Sequence, residues 1–355
     1  MKNIYYIYHL AETVNEGGMA RNKAFYEKFS SLGTNLLNVY NANLIKRFFV
    51  LIKVIFIFSF IKNKIIFIHQ GTLLYLFSIF FLRFKLIRRF AFFLLNYVSK
   101  YNKLILEVND LPYEQSKDLE LNVDFIFKIL EDEFYTIKNC NYIFASNEME
   151  KYVCLKYSIP SNYSKVIING APQVQDYSSV FKNEKWMESE KCKFVYAGSL
   201  NRGRQIDELL NIFNEDENNM LIVFGSEGEW LNDIDLPKNI IFLGNFEESK
   251  AHYLVSRCDF GIIPYAEDRF YYNLCFPTKV SFYLTAGLPI LATPLKELEQ
   301  VFKNDKMILF VPFNNWKNEI KKIDRNKSLR MKEFVNIDKK FYYWPSILND
   351  IITFL

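Results

Sequence analysis

"CDFGIIPYAEDRFYYNLCFPTKVSFYLTAGLPILATP", residues 258–294, decides the fold. Phe260–Pro264 has the length and branched content of a buried strand and stops at a Pro-Tyr turn. A polar, aromatic loop follows. Pro277 then opens a helical pattern, where its fixed φ suits the first turn. Gly287-Leu288-Pro289 stops that helix and leads into a second buried strand, Pro289–Ala292. Lys279 is the one cation of the helix, with Ser281 and Tyr283 beside it.

The same alternation of short apolar runs and helical patterns extends in both directions, predicting βαβ units and parallel sheets. Towards the end of the chain come a helix and the strand Met307–Val311; upstream lie Ile240–Leu243, Met220–Phe224 and Lys193–Ala197. The first half repeats the pattern with Asn3–Tyr8, Asn35–Tyr40, Lys64–Ile68, Lys103–Val108, Tyr142–Ala145 and Val166–Ile168. With 355 residues, the chain is long enough for two such cores. The boundary is expected in the polar, aperiodic stretch 171–191, giving domains 1–175 and 176–335. Residues 336–355, with "KKFYYWPSILNDIITFL", predict an amphipathic helix that either crosses back to the first domain or stays on the second.

Charge is unevenly distributed. Although the net charge is only +4, no acidic residue lies between Glu27 and Glu107, so the remainder of the chain is net acidic. Within that interval sit the most apolar runs, Phe48–Ile61 and Leu73–Leu82. Fourteen helical residues rise about 21 Å, short of a hydrocarbon core of about 30 Å. Lys53 interrupts the first run, and "RFKLIRR" (Arg83–Arg89) ends the second with four cations in seven residues. That pattern fits helices lying on an anionic membrane surface through residues 46–103. The alternative is a pair of core helices with solvated basic ends.

The start, "MKNIYYIYHLAETVNEGG", has Tyr and His inside its apolar run and reads as a buried strand rather than a signal peptide. Five cysteines, Cys140, Cys154, Cys192, Cys258 and Cys275, lack CxxC spacing, which argues against zinc or a disulfide framework and for a reducing cytoplasm. His9, His69 and His252 are isolated and read as core or surface histidines.

Two strand-to-helix turns suit phosphate. "NEGGMARNKAF" places Gly17 and Gly18 at a helix start, where bare backbone N–H groups and the helix dipole favour an anion. "YAGSLNRGRQIDELL" repeats the arrangement with Gly198, Ser199, Arg202 and Arg204, and paired guanidiniums suit a diphosphate. "IVFGSEGEW" ends another strand at Gly225.

In this order the motifs resemble the GT-B glycosyltransferases, particularly glycosyltransferase family 4 and related bacterial glucosyl- and galactofuranosyltransferases. Lys279, Ser281, Tyr283, Leu284, Gly287, Leu288 and Pro289 match a "K-x-S-x-Y-L-x-x-G-L-P" pattern in register. The likeness extends through "LILEVNDLPYEQ" (104–115), "CNYIFASNEMEKYV" (140–153) and "VIINGAP" (166–172). It implies an α/β protein of two Rossmann-like, doubly wound domains facing a cleft. A nucleoside diphosphate sugar, with UDP the expected carrier, would sit mostly on the second domain. Arg204 and Lys279 would hold the diphosphate, with Arg202 in reserve. Gly17 and Gly18 would close over it, and Tyr265 with the Phe242–Asn245 turn, including Gly244, would frame the base.

Departures from the pattern are specific. Many retaining relatives carry Glu, seven residues, Glu; here those positions are Leu274 and Phe282, so Asn273, Ser281 or Tyr283 would have to meet the ribose. Asn109 stands where many relatives have His, leaving Asp110 and Glu114 as catalytic or acceptor-binding carboxylates. The resemblance implies a retaining, metal-independent hexosyltransferase without cofactor, located in the cytoplasm at the membrane face. It would act on a glycan or lipid-linked acceptor in capsule or surface polysaccharide synthesis, with no nucleic-acid partner and a homo-oligomer left open. The rival readings are a silent GT-B partner subunit and a nucleotide-sugar epimerase.

Overall fold

The computed structural model describes residues 3–10, 17–41, 43–201 and 204–355. The chain forms two compact units, Met1–Ile168 with Leu348–Leu355, and Asn169–Ile347. It therefore changes units at Ile168, ahead of the polar stretch 171–191.

The first unit holds a six-stranded parallel sheet: β1 (Ile4–Tyr8), β2 (Asn35–Asn38), β3 (Ile65–His69), β4 (Lys103–Val108), β5 (Asn141–Phe144) and β6 (Ser164–Val166), ordered β2-β1-β3-β4-β5-β6. The helix Leu44–Phe60 starts at Asn43, whose side chain accepts from the Ile45 and Lys46 N–H groups. Val54 and Phe58 on it are buried, while Phe48, Phe49, Phe56 and Phe60 are each more than half exposed. Lys85–Tyr101 likewise buries Leu94, Leu95 and Val98 yet leaves Leu86 80% and Phe93 69% exposed. Among the described residues no helix is long and apolar enough to cross a membrane.

The second unit repeats the architecture with β7 (Cys192–Ala197), β8 (Asn219–Phe224), β9 (Ile240–Phe242), β10 (Phe260–Ile263), β11 (Ile290–Ala292) and β12 (Ile308–Phe310), ordered β12-β11-β10-β7-β8-β9 and all parallel. Every residue of β7 and β8 is buried, as expected of strands covered on both faces. Phe194, Phe213, Phe260 and Trp316 fill the core on one side. The strand order reverses between β7 and β10, and in such sheets the ligand crevice lies outside the carboxyl ends of the strands at that point.

The stretch 339–355 is not one helix. Tyr342 and Trp344 are held to Ala171 by backbone hydrogen bonds of 3.0 and 3.1 Å, and Pro345 follows, so the chain breaks into the short turns Lys339–Tyr342, Trp344–Ile347 and Leu348–Thr353. The last of these packs in the first unit, where Lys165 Nζ donates to the Asp350 carbonyl and Lys103 Nζ to that of Phe354.

A buried ionic network ties the first sheet together. Arg21 Nε donates to Glu107 Oε1 at 2.6 Å, and its terminal nitrogens reach the Ile167 and Ile168 carbonyls at 2.9 and 3.2 Å. His69 Nδ1 lies 2.7 Å from Glu107 Oε2, and its Nε2 is 2.6 Å from the Tyr6 hydroxyl. These carbonyl contacts explain why β6 ends at Val166 although Ile167 and Ile168 are apolar. Burial alone would raise the Glu107 pKa, but the Arg21 charge and His69 outweigh it and hold the carboxyl down to about 2. Arg21→Met should lower the unfolding free energy by about 3–5 kcal/mol in urea denaturation, since it strands a buried carboxylate. The deficit should shrink as the pH falls from about 4.5 towards about 2, where Glu107 becomes neutral in native wild type as well.

Candidate active site

Three strand-end turns of the second unit are laced together by backbone. Gly198, after β7, has φ +141°, and its N–H donates to the Phe224 carbonyl at 3.0 Å. Gly225, after β8, has φ +144° and donates to the Gly244 carbonyl at 2.8 Å. A Cβ on Gly225 would stand 1.9 Å from the Gly198 oxygen, so the two turns fit only without side chains. A Cβ on Gly198 would meet Nζ of Lys279 at 2.7 Å.

Lys279 reaches that position from the helix Thr278–Thr285, which Pro277 precedes. Its ammonium is buried and donates to the Tyr265 hydroxyl at 3.0 Å, lying 4.9 Å from the centre of the Tyr196 ring. Arg204 Nη1 approaches the same hydroxyl at 3.4 Å. Neither cation meets a carboxylate among the described residues. Burial pulls the Lys279 pKa down, Tyr265 opposes the shift and Arg204 adds to it. Tyr265 itself stacks on Tyr272 with ring centres 4.6 Å apart. Tyr265, Lys279 and Arg204 thus converge at the end of β10 beside the end of β7, at the reversal of strand order.

Next to this cluster, Gly225, Glu229, Asn232, Phe242, Leu243, Gly244 and Asn245 line an open cavity of about 310 Å³. Its Phe242–Asn245 wall was expected from the sequence, whereas Glu229 was not, because only the glycines of "IVFGSEGEW" stand out by residue type. Ser199 donates to Glu227 from the same turn.

Other expected donor-site residues have their polar atoms engaged within the unit. Ser281 donates to the Asn169 carbonyl at 2.6 Å. Asn273 donates to the Glu267 and Arg269 carbonyls and accepts from the Lys296 N–H. The Tyr283 hydroxyl accepts from the Ala197 N–H at 3.0 Å. Phe282 stacks on His252 at 4.4 Å, and its carbonyl lies 3.0 Å from the His252 Nε2. Burial lowers the His252 pKa to about 4, keeping it neutral. Arg202 lies outside the described residues; Gly17 and Gly18 open the helix Gly17–Ser31.

In the first unit, Asp110 follows β4 and accepts from Asn109 Nδ2 at 2.9 Å. Glu114 is paired with Lys156 at 2.9 Å and accepts from Tyr152; burial would raise its pKa, but these partners outweigh it and hold it low. Glu131, which no sequence motif singles out, is the carboxyl among the described residues that burial shifts furthest upward. Burial raises it to about 7, while it accepts the Tyr113 N–H at 3.1 Å. No group of three or more His, Cys, Asp or Glu among the described residues is placed to hold a metal ion.

The chain is similar in fold to known proteins. Sucrose-phosphate synthase from Thermosynechococcus elongatus superposes with a TM-score of 0.69 at 12% identity, covering 99% of this chain and 98% of that one. HepE of Anabaena, solved in complex with UDP-glucose, gives 0.65 at 12% identity with 99% and 98% coverage. WaaG, a glycosyltransferase involved in lipopolysaccharide biosynthesis, gives 0.62 at 10% identity with 99% of both chains covered. The chain has the GT-B fold. Residues 194–337 also match the family model "Glucosyltransferase 3-like, C-terminal domain". That match lies within the second unit. No curated protein matches the chain by sequence.

Glu131 provides a pH test of the first unit. Its folded pKa, about 7, lies above the ordinary 4.5, so the contribution of Glu131 to stability should be full below about pH 4.5 and fall as the pH rises to about 7. Glu131→Gln keeps the Tyr113 contact without a charge. It should flatten that decline in a series of thermal melts; an unchanged slope would mean that Glu131 is ionised in the native protein.

Proposed function

We propose that the protein is a glycosyltransferase that moves a sugar from a nucleoside diphosphate sugar to a glycan or lipid-linked acceptor. The observation that carries this is the convergence of two cations, Lys279 and Arg204, with no carboxylate beside them among the described residues, at the switch point of a parallel sheet. A buried ammonium and a half-buried guanidinium converging on one hydroxyl are best satisfied by a polyanion such as a diphosphate. UDP is favoured as carrier because HepE is solved with UDP-glucose and because the second unit matches a glucosyltransferase model.

In this reading Lys279, Arg204 and the Gly198 turn stabilise the charge that develops on the leaving diphosphate, taking the part a divalent ion plays elsewhere. The acceptor hydroxyl bonds to the anomeric carbon as the bond to phosphate breaks, with retention as the family pattern implies. The base is assigned to the 310 Å³ cavity, where Glu229 and Asn232 are available to replace the ribose contact that Leu274 and Phe282 cannot make. Asp110, which follows the carboxyl end of β4, is the candidate acceptor-side carboxylate. Arg204→Ala should cut nucleotide release from a UDP-sugar panel by about 10²–10³-fold, while near-normal release would refute its role. Binding of UDP without turnover in any acceptor mixture would instead favour a silent partner.

The exposed aromatics of the first unit, with Lys46, Lys53, Arg83 and Lys85 among them, support a place at the cytoplasmic face of a membrane. Surface polysaccharide assembly on a lipid carrier would need that location. The protein should float with anionic liposomes and much less with neutral ones; equal recovery would remove the electrostatic part of this reading.

A further inference from the structure

The Tyr265 phenol is more than a wall of the cation pair. A phenol oxygen offers two acceptor sites and one hydrogen. Lys279 Nζ at 3.0 Å and Arg204 Nη1 at 3.4 Å both approach as donors, so the acceptor sites face two cations. The phenolic hydrogen then points elsewhere, and among the described residues it meets no acceptor. The ring has little freedom to turn away. It is buried, stacked on Tyr272, and its carbonyl is held by the Thr293 hydroxyl at 2.6 Å.

We propose that Tyr265 is a third donor to the leaving diphosphate, its O–H hydrogen-bonding a diphosphate oxygen while Lys279 and Arg204 polarise the phenol from behind. This rests on the glycosyltransferase reading above and assigns Tyr265 to the diphosphate rather than to the base. When the acceptor oxygen bonds to the anomeric carbon, the bond from that carbon to the β-phosphate oxygen breaks with its electron pair passing to that oxygen. The proton released by the acceptor hydroxyl leaves with the nucleotide. Tyr265 keeps its own proton throughout and strengthens its hydrogen bond as charge builds on the oxygen. Electrostatics agree with this role: burial alone would raise the phenol pKa, but Lys279 and Arg204 outweigh it and leave it below 10, a stronger acid than free tyrosine.

Tyr265→Phe retains the ring, the stack and the volume, so the fold should survive, checked by an unchanged thermal melt. In wild type, a spectrophotometric alkaline titration should show one early-ionising tyrosine that is missing in the variant. Inorganic pyrophosphate should move that ionisation upward, because an anion accepting the O–H disfavours the phenolate. The variant should bind pyrophosphate and UDP about 5–15-fold more weakly, the equivalent of one hydrogen bond of about 1–1.5 kcal/mol, with uridine affinity unchanged. In the transfer assay kcat should fall further than KM rises. An unmoved tyrosine titration with pyrophosphate, or equal affinities for wild type and variant, overturns the proposal. A pyrophosphate-dependent shift in a protein that turns over no UDP-sugar would sustain the Tyr265 contact and sink the glycosyltransferase reading.

Discussion

The ammonium of Lys279 lies against the Gly198 turn and the Tyr265 hydroxyl, shielded from water and, among the described residues, without a carboxylate to neutralise it. A buried charge left this way is destabilising unless its surroundings are arranged around it. Much of the second unit can be traced to that need. Gly198 must lack a side chain to leave room for Nζ, and Gly225 must lack one to leave room for the Gly198 carbonyl. The Tyr196 ring offers its face and Tyr265 its hydroxyl. A buried ammonium arranged in this way is stabilised by any anion brought within hydrogen-bond reach.

Most strands were legible because parallel sheets covered on both faces leave near-continuous apolar runs; the edge strands β2 and β6, exposed or half-buried, follow that rule least. Strand ends were less legible. β6 stops at Val166 rather than Ile168 because a guanidinium from residue 21 takes the carbonyls, a long-range contact that apolarity does not announce. The site divides in the same way. Lys279, Arg204 and the glycines stand out by residue type and position after strands. Their meeting on Tyr265 does not, since 14 and 61 residues separate the partners. Ser281 and Asn273 look equally suited to a ligand in sequence, yet backbone carbonyls of their own unit consume them. Glu131 looks like any helical glutamate until burial gives it a pKa near neutrality.

The aromatic surplus of the chain has two destinations. In the second unit the rings are mostly inside, around Phe194, Phe213, Phe260 and Trp316. In the first, the helices Leu44–Phe60 and Lys85–Tyr101 carry apolar side chains on both faces, so one set fills the core and the other remains outside. The basic residues that flank them keep such a surface soluble by repulsion between copies and attract anions at the same time.

The segment Leu348–Leu355 belongs to the first unit although the whole second unit precedes it in the chain. On a ribosome, this order has a cost in time. Lys103 must wait for a carbonyl made 251 residues later, and Lys165 for one made 185 residues later. The first unit cannot close its own structure as it emerges, and its exposed phenylalanines are presented to the cell throughout the synthesis of the second. Completion of one unit is thereby tied to completion of the other, which makes the chain a single folding commitment rather than two successive ones.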